Sequence, residues 1–198
     1  MSQLLFTQAT APPRHPRTLP KDLPMSTGLL LLRIVAGLLL AAHGSQKLFG
    51  WFGGYGIAGT GGWLESIGFK PGKAMAVVTG LAEVVGGVAL ALGLLTPLAA
   101  AVVIGTMTVA AWSHAASGLW ATNGGYELPL VYAVIGAALA FTGAGDFSVD
   151  NALGLSFGPE YGVGAVVLGL AAAGVNILRA KSAQRATVVT DDAVAATV

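Results

Sequence analysis

The chain has 198 residues, 55% of them hydrophobic and 10% charged, with a formal net charge of +1 and no cysteine. Together with a mean hydropathy of +0.75, these values exclude an ordinary soluble domain and indicate a polytopic helical membrane protein. They give no electrostatic basis for binding nucleic acid, and the missing thiols remove disulfides, iron–sulfur clusters and thiolate metal sites together, so redox chemistry would need a bound cofactor, a quinone or a partner subunit.

Residues 1–28 carry Pro12, Pro13, Pro16, Pro20 and Pro24 beside Arg14, Arg17 and Lys21. This composition resists helix and has little to bury, so a disordered tail is expected. A cleaved signal peptide fits poorly, because Arg33 interrupts the apolar run and the charged region before it is long. The first span is expected from about Leu29 to Leu48, the second from Ala74 to Leu95 and the third from Leu98 to about Ala116, with only Thr96-Pro97 between the last two. A fourth covers about Leu128 to Thr142, and a fifth runs from about Tyr161 to Leu178, where glycine and alanine lower the hydrophobicity per residue. From Arg179 the chain is polar and is expected to be disordered. The expected fold is all-α: an antiparallel four-helix transmembrane bundle over residues 29–154, an additional hydrophobic helix over 155–178 and a polar tail over 179–198.

Orientation turns on the fifth segment. If it crosses, one side collects Arg14, Arg17 and Lys21 and the other Lys47, Lys70, Lys73, Arg179, Lys181 and Arg185, which places the N-terminus outside. If it does not, both tails share the inner side. Glycines recur within the spans, at Gly37, Gly44, Gly80, Gly86, Gly87, Gly93, Gly105 and Gly136. Small residues let helix backbones approach closely in lipid, so they serve bundle packing or a self-association face of a homo-oligomer.

Arg33, His43, Lys47, Glu83, His114 and Glu127 lie inside or at the ends of these spans. A charge near the bilayer centre costs about 2.5–3.5 kcal/mol, so such residues pair or line a site. Arg33, His43 and Lys47 fall within roughly an 80° sector of one helix. Short turns bring His43, Lys47, His114 and Glu127 to one side of the bundle, and Glu83 reaches a similar depth, about 14 Å into its helix. Arg33 lies at the opposite end, near Asp146 and Asp150, where an ion pair is expected. For the other five, two readings stay open. One is a hydrogen-bonded network that fixes helix register. The other is a polar pocket for quinone or another amphiphile, because histidine and glutamate exchange protons near working pH. Haem between His43 and His114 is a weaker alternative, and no metal-ligand spacing occurs. The loop FGWFGGYGIAGTGGWLESIGFKPGK, Phe49 to Lys73, reads as an interfacial aromatic belt or as a lid over the pocket, and holds no nucleotide fingerprint.

The stretches LLLRIVAGLLLAAHGSQKLFGWFGG, LAEVVGGVALALGLLTPLAA, GGYELPL and FTGAGDFSVDNALG, with a histidine closing the third span, together resemble the DoxX family of small bacterial inner-membrane proteins over about Leu29 to Gly154. The resemblance implies a four-helix membrane core with both termini in the cytoplasm. It also implies association with quinone-linked or oxidative-stress oxidoreductase systems through partner subunits. Arg33, His43, Gly44, Lys47, Glu83, His114, Glu127 and Asp150 match its recurring polar positions, but no catalytic role carries over with them. A non-enzymatic scaffold or a small permease is the alternative expectation.

Overall fold

The computed structural model describes residues 23–195, with side chains described to residue 186. The disordered tail expected over residues 1–28 lies outside the described residues up to position 22, and residues 196–198 lie outside them too. Helix α1 (Leu23–Phe49) begins earlier than the apolar run suggests, with Pro24 in its first turn, where the missing N–H is one that no helix would satisfy. A 3-10 turn at Trp51–Gly53 leads to α2 (Gly56–Ser66), followed by α3 (Gly72–Leu92), α4 (Thr96–His114), α5 (Glu127–Thr142), the single-turn α6 (Val149–Ala152) and α7 (Pro159–Ala195). The described residues contain no strand. The protein is an all-α, multi-pass membrane bundle: α1, α3, α4 and α7 are each long and apolar enough to cross a bilayer. Helix α5 is shorter, at 16 residues, and packs along α4.

The C-terminal segment departs from expectation. Instead of a short hydrophobic helix and a disordered polar tail, α7 continues through Arg179 to Ala195. Alanine, arginine, lysine and glutamine are strong helix formers, so loss of hydrophobicity after Leu178 does not end the helix. The extension also has partners. Ala180 is buried with Leu64, Phe69 and Ala76, and Gln184 Nε2 donates to Ile67 O at 2.8 Å. Lower down, Gly169 lies against Ala101 and Ile104 of α4, and Gly162 against Ala140 and Phe141 of α5. Helix α7 is thus an integral fifth member of the bundle. Helices α1, α3, α4, α5 and α7 alternate in direction, so the start of α1 and the end of α7 lie at opposite ends of the bundle.

The glycines of the spans are used within the chain. At the α1–α3 seam, Gly37 abuts Gly87 and Ala91, while Gly44 abuts Gly80 and Val84. A Cβ on Gly44 would stand 2.5 Å from Gly80 O, and one on Gly87 2.5 Å from Gly37 O. Both are backbone contacts, so only separation of the helices relieves them. Gly44→Ala is therefore expected to cost about 1–3 kcal/mol, read as a lower melting temperature in detergent, whereas Gly28→Ala, with open space at its Cβ position, should leave it unchanged.

Where α1 starts, the expected ion pair of Arg33 with Asp146 or Asp150 does not form. Arg33 is fully buried. Its Nη2 donates to Phe147 O at 2.6 Å and its Nη1 to Ala91 O at 3.4 Å, near the C-terminus of α3, where helix carbonyls lack intrahelical partners. Asp146 instead accepts from Ser26 Oγ at 2.7 Å. Asp150 accepts from Leu95 N at 2.6 Å, Thr96 N at 2.9 Å and Thr96 Oγ1 at 2.6 Å. The unsatisfied N–H groups that open α4 claim this carboxylate ahead of the guanidinium.

Candidate ligand cavity

At the other end of the bundle, α2 closes over a cavity of about 520 Å³ lined from α1, α3, α4, α5 and α7, a size within the roughly 300–1,000 Å³ of small-molecule sites. Helix α2 is seated by close backbone approach. A Cβ on Gly61 would stand 2.9 Å from the Lys73 backbone, and Glu65 Oε2 accepts from Gly72 N at 3.2 Å, capping α3. Its inner side gives Thr60, Trp63 and Leu64 to the cavity. Phe49, Trp51, Phe52 and Tyr55 before it are exposed, as an interfacial belt requires. The loop expected as a belt or a lid thus contains a helix whose inner side lines the cavity, preceded by exposed aromatic residues.

The centre of the polar end is an ion pair. Lys47 Nζ, in the last turn of α1, donates to Glu83 Oε2 from midway along α3. The Glu83 side chain is 1% exposed and that of Lys47 27%. The pair therefore opens to the cavity through the lysine. His43 sits one turn below Lys47 and lines the same cavity, with its ring edge-to-face with Tyr132 at 6.2 Å between centroids.

The DoxX family model matches residues 28–116, from the first turns of α1 to just past the end of α4. A protein of Haemophilus influenzae, described as an uncharacterized protein, is 34% identical over 128 residues, covering 62% of this chain and 88% of the relative. The chain belongs to the DoxX family. No solved structure matches it.

In this DoxX protein the candidate residues divide by position. His43, Lys47, Glu83 and His114 all line the cavity, and Glu127 does not. His114 stands at the rim, its Nδ1 3.0 Å from Gly124 O and its ring stacked on Trp63 at 5.5 Å. Glu127 Oε2 accepts from Ala121 N at 3.0 Å, and its own N donates to Leu119 O at 2.8 Å. These two residues fold the α4–α5 loop against α2 and so shape the mouth. The DoxX family match contains Arg33, His43, Lys47, Glu83 and His114 but ends before Glu127.

Two residues escape a search for charged and histidine side chains. Tyr132 is 6% exposed, lines the cavity, and its hydroxyl has no hydrogen-bond partner among the described residues. The hydroxyl opens to the cavity and is not sealed within protein, and the place of Tyr132 more than a turn inside α5, away from the headgroup region, is the signal available in sequence. Gln46 is the other. It bonds His43 Nδ1 through Oε1 at 3.0 Å and Phe52 O through Nε2 at 3.2 Å. Below the polar end the lining is apolar, with Leu98, Val102 and Leu168 among its members. The cavity is therefore amphiphilic, suited to a ligand with a polar head and an apolar body.

Proposed function

We propose that this chain is the integral membrane subunit of a quinone-linked or oxidative-stress oxidoreductase system, with the cavity as its ligand site and the Lys47–Glu83 pair as its proton site. The supporting observation is that pair: a buried carboxylate joined to a partly exposed ammonium, at the polar end of an otherwise apolar cavity. A redox ligand that gains or loses protons with its electrons needs a proton donor or acceptor beside its head group, and an apolar channel suits its tail. The chain has no cysteine to hold a thiolate-ligated redox centre, and in this reading the ligand exchanges its electrons with a redox centre on a partner subunit. In a bacterial inner membrane, the end bearing Lys70, Lys73, Arg179, Lys181 and Arg185 faces the cytoplasm by the positive-inside rule.

The test is purification of the wild type with Glu83→Gln and His43→Ala at matched protein levels. Quinone is expected to co-purify with the wild type, and quinone-dependent electron transfer in the assembled system is expected to fall about a hundredfold in Glu83→Gln. Absence of any ligand, with both variants lowering only protein abundance, would reduce the polar residues to a register-fixing network and favour the scaffold or permease reading.

A further inference from the structure

The hydrogen bonds of Gln46 determine which nitrogen of His43 carries a proton. A carbonyl oxygen can only accept, so the amide nitrogen of Gln46 must face Phe52 O, 3.2 Å away. That leaves Gln46 Oε1 facing His43 Nδ1 at 3.0 Å. An amide oxygen also only accepts, so Nδ1 holds the hydrogen, and in a neutral ring Nε2 is a bare lone pair. The Phe52 carbonyl is an independent anchor: Phe52 has φ 51 between Gly50 and Gly53, also at positive φ, so the backbone conformation of the turn places it. His43 Nε2 has no hydrogen-bond partner among the described residues, and its ring lines the cavity edge-to-face with that of Tyr132, which lines it too.

We infer that Gln46 is a positioning residue that presents His43 Nε2 to the cavity as a hydrogen-bond acceptor, and that the polar end therefore selects a ligand carrying a hydroxyl hydrogen. The inference rests on reading the cavity as a quinone-type site and narrows it. A quinol-type hydroxyl donates to Nε2, while Tyr132 donates to, or accepts from, a neighbouring oxygen. The oxidised ring offers only carbonyls and would set a lone pair against the Nε2 lone pair. Binding should accordingly favour the reduced form by about tenfold, the worth of one hydrogen bond made against one lost.

The tautomer can be read directly from the full chain in lipid nanodiscs, labelled with ¹⁵N-histidine, at alkaline pH, with the His43 signals assigned by their loss in His43→Asn. The expected result is a protonated Nδ1 and an unprotonated Nε2 in the wild type. Gln46→Leu should shift the ring toward Nε2–H, and Gln46→Glu should keep Nδ1–H, because a carboxylate accepts there as well. A short-tailed benzoquinol should bind the wild type about tenfold more tightly than the matching benzoquinone. Gln46→Leu should erase that preference and Gln46→Glu retain it. An Nε2–H ring in the wild type, or a tautomer indifferent to Gln46→Leu, overturns the assignment of Gln46. An Nδ1–H ring with neither probe bound overturns the hydroxyl selectivity and the quinone reading beneath it, while the Gln46–His43 geometry stands.

Discussion

Replacing Lys47 with methionine is expected to lower the stability of the purified protein by about 3 kcal/mol, and replacing Glu83 with methionine in the same chain should recover most of that loss. The two partners of the pair are buried unequally. Glu83 is 1% exposed and Lys47 27%, so Lys47→Met leaves a buried carboxylate without its counter-charge. Glu83→Met alone leaves an ammonium on a flexible stem that can move toward the headgroups, and its cost should be smaller, about 1 kcal/mol. In the double variant two apolar side chains of similar length fill the same space, and the desolvation penalty of both charges disappears. Detergent melting of the three variants measures the order. Equal losses for the two single variants would show that burial of the carboxylate does not dominate. The double variant has a second use: if it melts like the wild type but no longer retains quinone, the pair serves the ligand and not the fold.

The sequence made the helices of the bundle legible wherever they are uniformly apolar, as in α1, α3, α4 and α5. It concealed the two elements whose stability comes from tertiary contact. Helix α2 is rich in glycine, which argues against helix on propensity, yet Gly61 is what lets it lie against the Lys73 backbone. The same residue type that weakens the local signal permits the contact that fixes the helix. Beyond Arg179, α7 loses its hydrophobicity but keeps its helix formers and its contacts at Ala180 and Gln184, so a hydropathy argument ends it too soon.

The candidate site was legible to a similar extent and for related reasons. Matching depths across antiparallel helices brought Lys47, His43 and Glu83 together, because rise per residue and loop length are nearly fixed. Which basic residue takes the carboxylate was not, since His43 and Lys47 share a helix face and reach decides between them. Depth matching also placed Glu127 beside the others, but a glutamate in the first turn of α5 has nearby loop N–H groups to bind, and Ala121 N takes it. Polar groups that bond backbone are hard to foresee from residue types alone, because the backbone partner depends on a turn that the sequence does not announce.

A large loss of stability is also expected on replacing Asp150, whose carboxylate likewise bonds backbone. This carboxylate is 4% exposed and accepts from Leu95 N, Thr96 N and Thr96 Oγ1, the groups that open α4. Asp150→Ala removes charge-assisted acceptors from two backbone N–H groups and one hydroxyl and is expected to cost about 3 kcal/mol or more. Arg33 adds to the loss. It is fully buried, bonds only carbonyls, and Asp150 is the negative charge acting on it, so the alanine variant also strips a buried cation of its compensation. Asp150→Asn should fall between wild type and alanine, since the amide keeps one accepting oxygen but turns an NH₂ toward a donor. Thr96→Val, which removes only the hydroxyl donor, should cost about 1 kcal/mol. Arg33→Met combined with Asp150→Ala should recover part of the alanine loss, because the uncompensated cation is then gone. Detergent melting gives the ranking, and limited proteolysis at the Gly93–Pro97 turn should report opening there before the rest of the bundle unfolds. An alanine variant within about 0.5 kcal/mol of the wild type would mean that α4 starts without this cap, and that backbone carbonyls alone suffice for Arg33.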